Sequence, residues 1–266
     1  MAWNTAYDLD SLMVNTKAAT VYSAHENSLF LGGGMIPMVQ LPAGSITAQV
    51  PVMGKVTAQK LTSAAHNVED FTALGITDTK VTIEADIYAA RDVIRDLGGI
   101  NPEELGRVLG NAIVDSFDTD VFTAMAGLTA ATPTATTVDD LFDVAAEIRA
   151  AGETGPLKAV LSPAQAAVLM KDIGTNAYAG GDFQSAAMTN GFLGTVAGIQ
   201  LFQSSRVGSG TLGYVFAEDA LRIAMFKNID LEAQRRAEAV GTDIVASLHA
   251  GVGVVDASRG RKILEA

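Results

Sequence analysis

The 266 residues contain no cysteine. That absence excludes disulfide staples and thiolate metal sites, and it fits a reducing cytosol. Positive charge is scarce as well: 18 Lys and Arg stand against 30 Asp and Glu, a formal net charge of -12. The sequence pI is near 4.6. A chain with this balance does not grip nucleic acid broadly, because phosphate binding runs on clustered Lys and Arg. Enclosing nucleic acid without adhering to it stays compatible with the charge. Charged residues of both signs reach only 18%, below the roughly 25% usual in globular chains. The segment from Met1 to Thr5 lacks the basic-then-apolar pattern of a secretory signal. No apolar run approaches the roughly 18 residues of a membrane span.

What the chain does have is apolar bulk: 48% hydrophobic residues and a mean hydropathy of +0.26. Its length corresponds to one large domain or two lobes. An apolar, lightly charged chain must hide surface, and subunit association is one place to hide it.

Residues 1–40 show mixed patterning broken by Gly32-Gly33-Gly34, and read as an extended arm with little core of its own. A strand is expected over 45–50, with Pro51 demoting its end to an edge or bend. A polar stretch follows, and Lys80–Ile87 then alternates apolar and polar as a half-buried strand does. Together they predict an extended hairpin standing off the body. The clearest helix starts at Asn101, with Pro102 at its first position and Glu103 and Glu104 at the positive end of its dipole. Its apolar residues recur every three or four positions from Leu105 to Met125. A second helix is expected over 138–151, capped by Thr137, then a strand at 158–161 and a helix over 164–173. Residues 174–190 are small and polar. Strands are expected at 199–202, 213–216, 220–225 and 243–248. Helices and strands mix without βαβ alternation, so the class is α+β.

Few motifs carry chemistry. Gly208, Gly210 and Gly213 fit the G-x-G-x-x-G spacing of a dinucleotide loop. Such a loop follows a strand and opens a helix, whereas Tyr214-Val215-Phe216 reads as strand, so a turn between strands is expected. His25, His66 and His249 lie far apart with no H-x-x-x-H pair. No G-x-S-x-G elbow marks a nucleophile. Asp115 and Asp118 share one helix face, which reads as solvated, and Asp120 lies off it. No cofactor, metal or catalytic residue is expected, and the chain reads as a non-enzyme. The basic knots Arg235-Arg236 and Arg259-Gly260-Arg261-Lys262 are expected to pair with acids on a neighbouring copy rather than bind phosphate, with a local DNA contact as the alternative.

Several stretches carry a resemblance. Ile83–Asp86 with Ala89–Asp96, Gly110–Val121, Val160–Pro163, Asn190–Ser204 with glycines at 191, 194 and 198, and the closing Val254–Leu264 occur in a characteristic order. From about residue 16 onward the chain resembles tailed-phage major capsid proteins with the Hong Kong 97 coat fold, which encapsulin compartments share. The resemblance implies an N-terminal arm (1–40), an extended loop over a neighbour (41–86), a peripheral domain with a spine helix (87–135 and 236–266) and an axial domain (136–235). It implies an icosahedral shell of hexamers and pentamers around double-stranded DNA, with no membrane. DNA would line the inner face without sequence-specific contact. A portal and a separate scaffolding protein are expected, since no scaffold segment precedes the arm. Localisation would be the virion, assembled in the host cytoplasm. Subunit contacts are expected at Lys55, Lys60, Glu69 and Asp70 of the loop, at Asn176 and Tyr178, and at Arg235, Arg236, Arg259 and Arg261. The alternatives are an encapsulin-like compartment of the same fold, or a soluble nucleotide-binding enzyme built on the Gly208 loop.

Overall fold

The computed structural model describes residues 9–31, 34–42, 44–53, 78–95, 101–175, 192–238 and 240–265. Its centre is α2, Pro102–Met125, a helix of 24 residues, about 36 Å long at 1.5 Å per residue. Asn101 caps it as expected, its side chain accepting the Glu103 N–H at 3.1 Å. Ile113, Val114, Phe117, Val121 and Met125 are buried along one stripe. Each contributes roughly 1.5–3 kcal/mol by leaving water.

Two sheets sandwich this helix. The first runs in the order β1-β10-β11-β4, where β1 is Met38–Gln40, β4 Asp86–Arg95, β10 Leu221–Arg236 and β11 Gly241–Val254. Its faces are set by strand alternation. Ile244, Ala246, Leu248 and Ala250 of β11 enter the core around α2. The odd-numbered positions face away, and there a two-stranded ribbon crosses the sheet: β2, Thr47–Met53, antiparallel to β3, Asp78–Glu84. The ribbon is the base of the expected hairpin, and Pro51 lies within β2, on a ribbon that has no third strand among the described residues.

The second sheet runs β5-β12-β9-β6-β8-β7, from Thr129–Ala130 (β5), Leu157–Leu161 (β6), Phe192–Val196 (β7), Ile199–Gln203 (β8), Thr211–Ala217 (β9) and Gly260–Leu264 (β12). Val160, Tyr214 and Phe216 on one face join the core around α2. Leu157, Leu161, Val215 and Ile263 on the other pack with α3 (Val138–Ala150) and α4 (Pro163–Thr175). Thr137 caps α3 through a reciprocal pairing with Asp140. One core therefore touches both sheets. Because β10 pairs along its length with β11, strand pairing carries residues 221–236 into the first sheet, and the expected division at residue 235 falls at the end of that strand.

The expected extended arm is corrected. Leu9–Asn27 forms a 19-residue helix, α1, lying alongside α2. It was illegible because it has no apolar stripe: among the described side chains, from Met13 on, those it buries completely are Thr16, Thr20 and Ala24, spaced by four. They lie against Gly106 and Gly110 of α2, where an added Cβ would come within 2.6 Å of the Thr16 and Thr20 carbonyl oxygens. Beyond α1, Phe30, Leu31, Met35 and Ile36 are buried in the main core, so this region has a core role that its patterning hides.

Candidate functional site

Four features outside ordinary core packing position the surfaces of the molecule. The first is a joint around Asp118. This carboxylate is fully buried, which corrects the expected solvated face. It accepts the Ser28 hydroxyl at 2.9 Å, the Leu29 N–H at 3.4 Å and the Arg206 Nη1 at 3.3 Å. Burial pushes its pKa up, against the opposing pull of Ser28, Arg206 and Leu29. Arg206 also pairs with the exposed Asp115. Helix α2, the end of α1 and the β8–β9 turn thus meet at one charge. Lys158 of β6 reinforces the joint by donating to the carbonyls of Gly34 and Met35, each at 3.0 Å. Nearby, burial first and then a hydrogen bond to Asp120 push the Tyr88 phenol well above its ordinary pKa.

The β8–β9 turn holds Gly208 and Gly210, and Gly213 lies within β9. Gly208 has open space where a side chain would stand, Gly210 sits at φ +78°, and a Cβ on Gly213 would meet the Val160 carbonyl oxygen at 2.8 Å. The strand β9 begins at Thr211, where a dinucleotide loop would open a helix. The arrangement is the turn expected from the sequence and serves a left-handed reversal and a close strand approach.

The second feature is the seat of the ribbon. Gly251 and Gly253 of β11 lack the side chains that would hold the ribbon off: a Cβ on Gly251 would lie 1.8 Å from the Glu84 carbonyl oxygen, and one on Gly253 2.7 Å from Ile83. Ile83, Ala48, Leu41 and Ala224 form a small core between ribbon and sheet. At the ribbon's base the Ala85 N–H donates to the Ile46 carbonyl at 2.9 Å. Ile46, just before β2, and Ile87, at the start of β4, are 68% and 67% exposed.

The third is the tip of the β10–β11 hairpin, where Arg91, Arg235, Arg236, Glu238 and Asp243 border a cavity of about 460 Å³. Arg91 forks onto Asp243, and that hydrogen bond holds Asp243 below the usual carboxylate range. Arg235 and Arg236 are exposed here.

The fourth is a charge network at the start of β12. Arg259 reaches Glu153, Asp219 and Asp256, each at 3.1 Å, and Arg261 reaches Glu147 at 3.1 Å. Burial opposes ionisation of Asp256, but hydrogen bonds from Ser258 and Arg259 outweigh it and lower its pKa. The acids expected on a neighbour are here supplied by the same chain. Of the other expected contact residues, Lys55, Lys60, Glu69, Asp70, Asn176 and Tyr178 lie outside the described residues, as does His66. His25 lies in the last turn of α1, and His249 of β11 stacks on Phe226 with ring centroids 5.9 Å apart. Among the described residues no cluster of His, Asp and Glu could hold a metal ion, and no helix is long and apolar enough to cross a membrane.

A family model for phage capsid proteins matches residues 103–263, from the first turn of α2 into β12. The chain belongs to the phage capsid protein family. Solved structures agree with the fold of this capsid protein. It is similar to the capsid of cyanophage P-SCSP1u, with a TM-score of 0.69 and 16% identity over 87% of this chain and 86% of that one. It is similar to a structure from Mycobacterium phage Che8, with a TM-score of 0.64 and 18% identity over 91% and 90%. A virus-like particle from Pyrococcus furiosus gives a TM-score of 0.64 at 10% identity over 96% and 98%. No curated protein matches this capsid protein. The fold is the Hong Kong 97 type that the sequence resembles, with α2 as its spine helix.

Proposed function

We propose that this chain is the major capsid protein of a tailed phage, and that its activity is assembly. Many copies close into an icosahedral shell around double-stranded DNA. The observation that carries the reading is the family match running from α2 into β12, because it takes in the central helix, the second sheet and strands β10 and β11 of the first. The ribbon supports it. A two-stranded ribbon is marginal by itself in water, and this one leaves Ile46 and Ile87 exposed at its base, which a neighbouring copy would cover. Weak contacts suffice, since a closed shell multiplies them.

Within this reading the peripheral unit is the first sheet with α1 and α2, and the axial unit is the second sheet with α3 and α4. The chain is a structural protein of the virion, assembled in the host cytoplasm. A separate scaffolding protein sets the size of the shell and a portal interrupts it. DNA lies against an inner face without sequence-specific contact, as suits a net charge of -12.

Light scattering and negative-stain microscopy of the purified chain test this. Particles hundreds of ångströms across are expected. A species of single-chain mass under all conditions, or measurable NAD or ATP binding at the Gly208 turn, would refute it. The likeness to a virus-like particle over nearly the whole of both chains keeps an encapsulin-like compartment as the second reading. Protein cargo inside the particle, with no portal gene beside the coat gene, would decide for it.

A further inference from the structure

We propose that Arg206 and Lys158 form a latch that sets the angle between the two halves of the molecule, and that the chain crossings between those halves form the hinge on which the angle turns. One half is α1, α2, the first sheet and the ribbon. The other is the second sheet with α3 and α4.

The hinge follows from topology. After α2 the chain passes between the halves three times: at 126–128 into the second sheet, at 218–220 back to β10, and at 255–259 into β12. These crossings lie side by side. The Val255 and Asp256 N–H groups both donate to the Ala220 carbonyl, at 2.9 and 3.3 Å. The Thr129 hydroxyl donates to the Ala257 carbonyl at 3.0 Å, and the Lys262 Nζ to the Ala126 carbonyl at 2.8 Å. Short segments at element ends are where hinges absorb backbone rotation. A cavity of about 370 Å³ opens beside them, between Pro51 of the ribbon and Asp219, Arg222 and Val255. The crossings therefore have room on that side.

The latch follows from chemistry. The halves meet through apolar side chains as well, with Val160, Tyr214 and Phe216 set in the core around α2. Apolar contact is non-directional, so it holds the halves together over a range of small angles. Hydrogen bonds are short and directional, so they select one angle. Two side chains of the second half supply them. Arg206 reaches the buried Asp118 at 3.3 Å and pairs with Asp115. Lys158 donates to the Gly34 and Met35 carbonyls, each at 3.0 Å, and Met35 is itself fully buried in the main core. Both donors sit on the second half and every acceptor on the first, so each bond spans the gap that a rocking motion would open. Asp118 lies eight residues before Ala126, about 12 Å along α2 from the hinge. The use of the latch rests on the assembly reading above: a copy that can change its angle fits both a pentamer and a hexamer.

The chain has no cysteine, so Val108→Cys on α2 and Val168→Cys on α4, both exposed positions, take spin labels at those two points alone. Val108 lies 18 residues before Ala126, about 27 Å from the hinge. A rock of about 10° would move it by about 5 Å relative to the second half. Pulsed electron spin resonance on the unassembled chain reads the distance, and one narrow distribution is expected. The triple variant Lys158→Met, Asp118→Asn, Arg206→Met keeps the side-chain stems and leaves no buried charge unpaired. It is expected to shift the mean by about 5 Å or to double the width. Lys158→Met alone, which touches no buried ion pair, is expected to give part of that change. Lys262→Met removes a hydrogen bond at the hinge and is expected to leave the distribution as it is. Cooperative thermal unfolding identifies the folded variants. A folded triple variant with the wild-type distribution overturns the latch. So does equal broadening by Lys262→Met, which would mean general loosening. Should the triple variant unfold, an unchanged distribution in Lys158→Met overturns it. The measurement needs no assembly, so a chain that forms no particles overturns the assembly reading while the latch is still decided by the distances.

Discussion

Replacing Gly251 by alanine adds one methyl group where the ribbon crosses β11. The new Cβ would lie 1.8 Å from the Glu84 carbonyl oxygen, 2.7 Å from its carbon and 3.1 Å from the Ala85 Cα. All three are backbone atoms, so no side-chain rotation relieves the clash. A carbon–oxygen contact needs about 3.3 Å, so the ribbon must lift by roughly 1.5 Å. Overpacking of this kind costs about 1–3 kcal/mol. Lifting also uncovers Ile83, only 3% exposed, at roughly 1.5–3 kcal/mol more. The expected loss is about 3–5 kcal/mol, a large share of the ~5–15 kcal/mol that holds a typical domain folded. Urea unfolding of the unassembled chain reads the loss, and limited proteolysis reads exposure of the ribbon. Gly253→Ala meets only Ile83 side-chain atoms, which can turn aside, and should cost less. Gly208→Ala, with nothing within 4 Å, is the control and should change stability by no more than about 0.5 kcal/mol. A Gly251→Ala chain with the wild-type midpoint and an unchanged cleavage pattern would refute the account of the ribbon's seat.

Arg206→Ala leaves the buried Asp118 without its cation and is expected to cost about 2–3 kcal/mol, the lower end for a broken buried pair because the Arg206 side chain is 28% exposed; chemical denaturation checks it. Asp118 has a folded-state pKa above its unfolded value, so its charge penalises folding at neutral pH, and the penalty fades as pH falls through the folded pKa. Wild type should therefore gain stability relative to Asp118→Asn between pH 7 and about 4, and parallel pH–stability curves for the two would count against the burial. Below about pH 4 the lowered pKa values of Asp230, Asp243 and Asp256 act in the opposite sense, and the stability they supply is lost. Gly210→Val forces a β-branched residue to φ +78° and should destabilise by about 1–3 kcal/mol without changing nucleotide affinity, measured by calorimetry. Ile46→Asp should leave the thermal midpoint within about 2 °C while lowering particle yield, and full assembly of this variant would show that the ribbon base is not a contact.

The elements legible in the sequence were those with local signals. Helix α2 announced itself through Asn101, Pro102 and its apolar spacing, and α3 through Thr137 and the acids that follow. What stayed hidden depends on partners distant in the chain. Helix α1 buries threonine and alanine against Gly106 and Gly110, so no hydrophobic period betrays it. Strand β10 runs on past the expected residue 225 to Arg236, with its buried Ile229 and Leu231 set among charged residues and with two register shifts that break the alternation. Asp118 reads like its neighbour Asp115 until Ser28 and Arg206, 90 and 88 residues away, are brought to it. Arg259 and Arg261 were recognised as ion-pairing residues, but only the fold shows Glu147, Glu153 and Asp219 within reach.

Helix α1 also sets an order of events during synthesis. A helix without an apolar face gains little from its own sequence and takes its stability from what it docks on. Its seat includes Gly106 and Gly110, and the joint at its end closes only through Arg206. At about 5–20 residues per second, roughly 10–35 seconds separate the making of Asn27 from that of Arg206. Helix α1 is thus made long before the residue that locks its end. Throughout that interval the joint at the end of α1 stays open although its seat on α2 has been made, and a chaperone or another nascent copy can reach it.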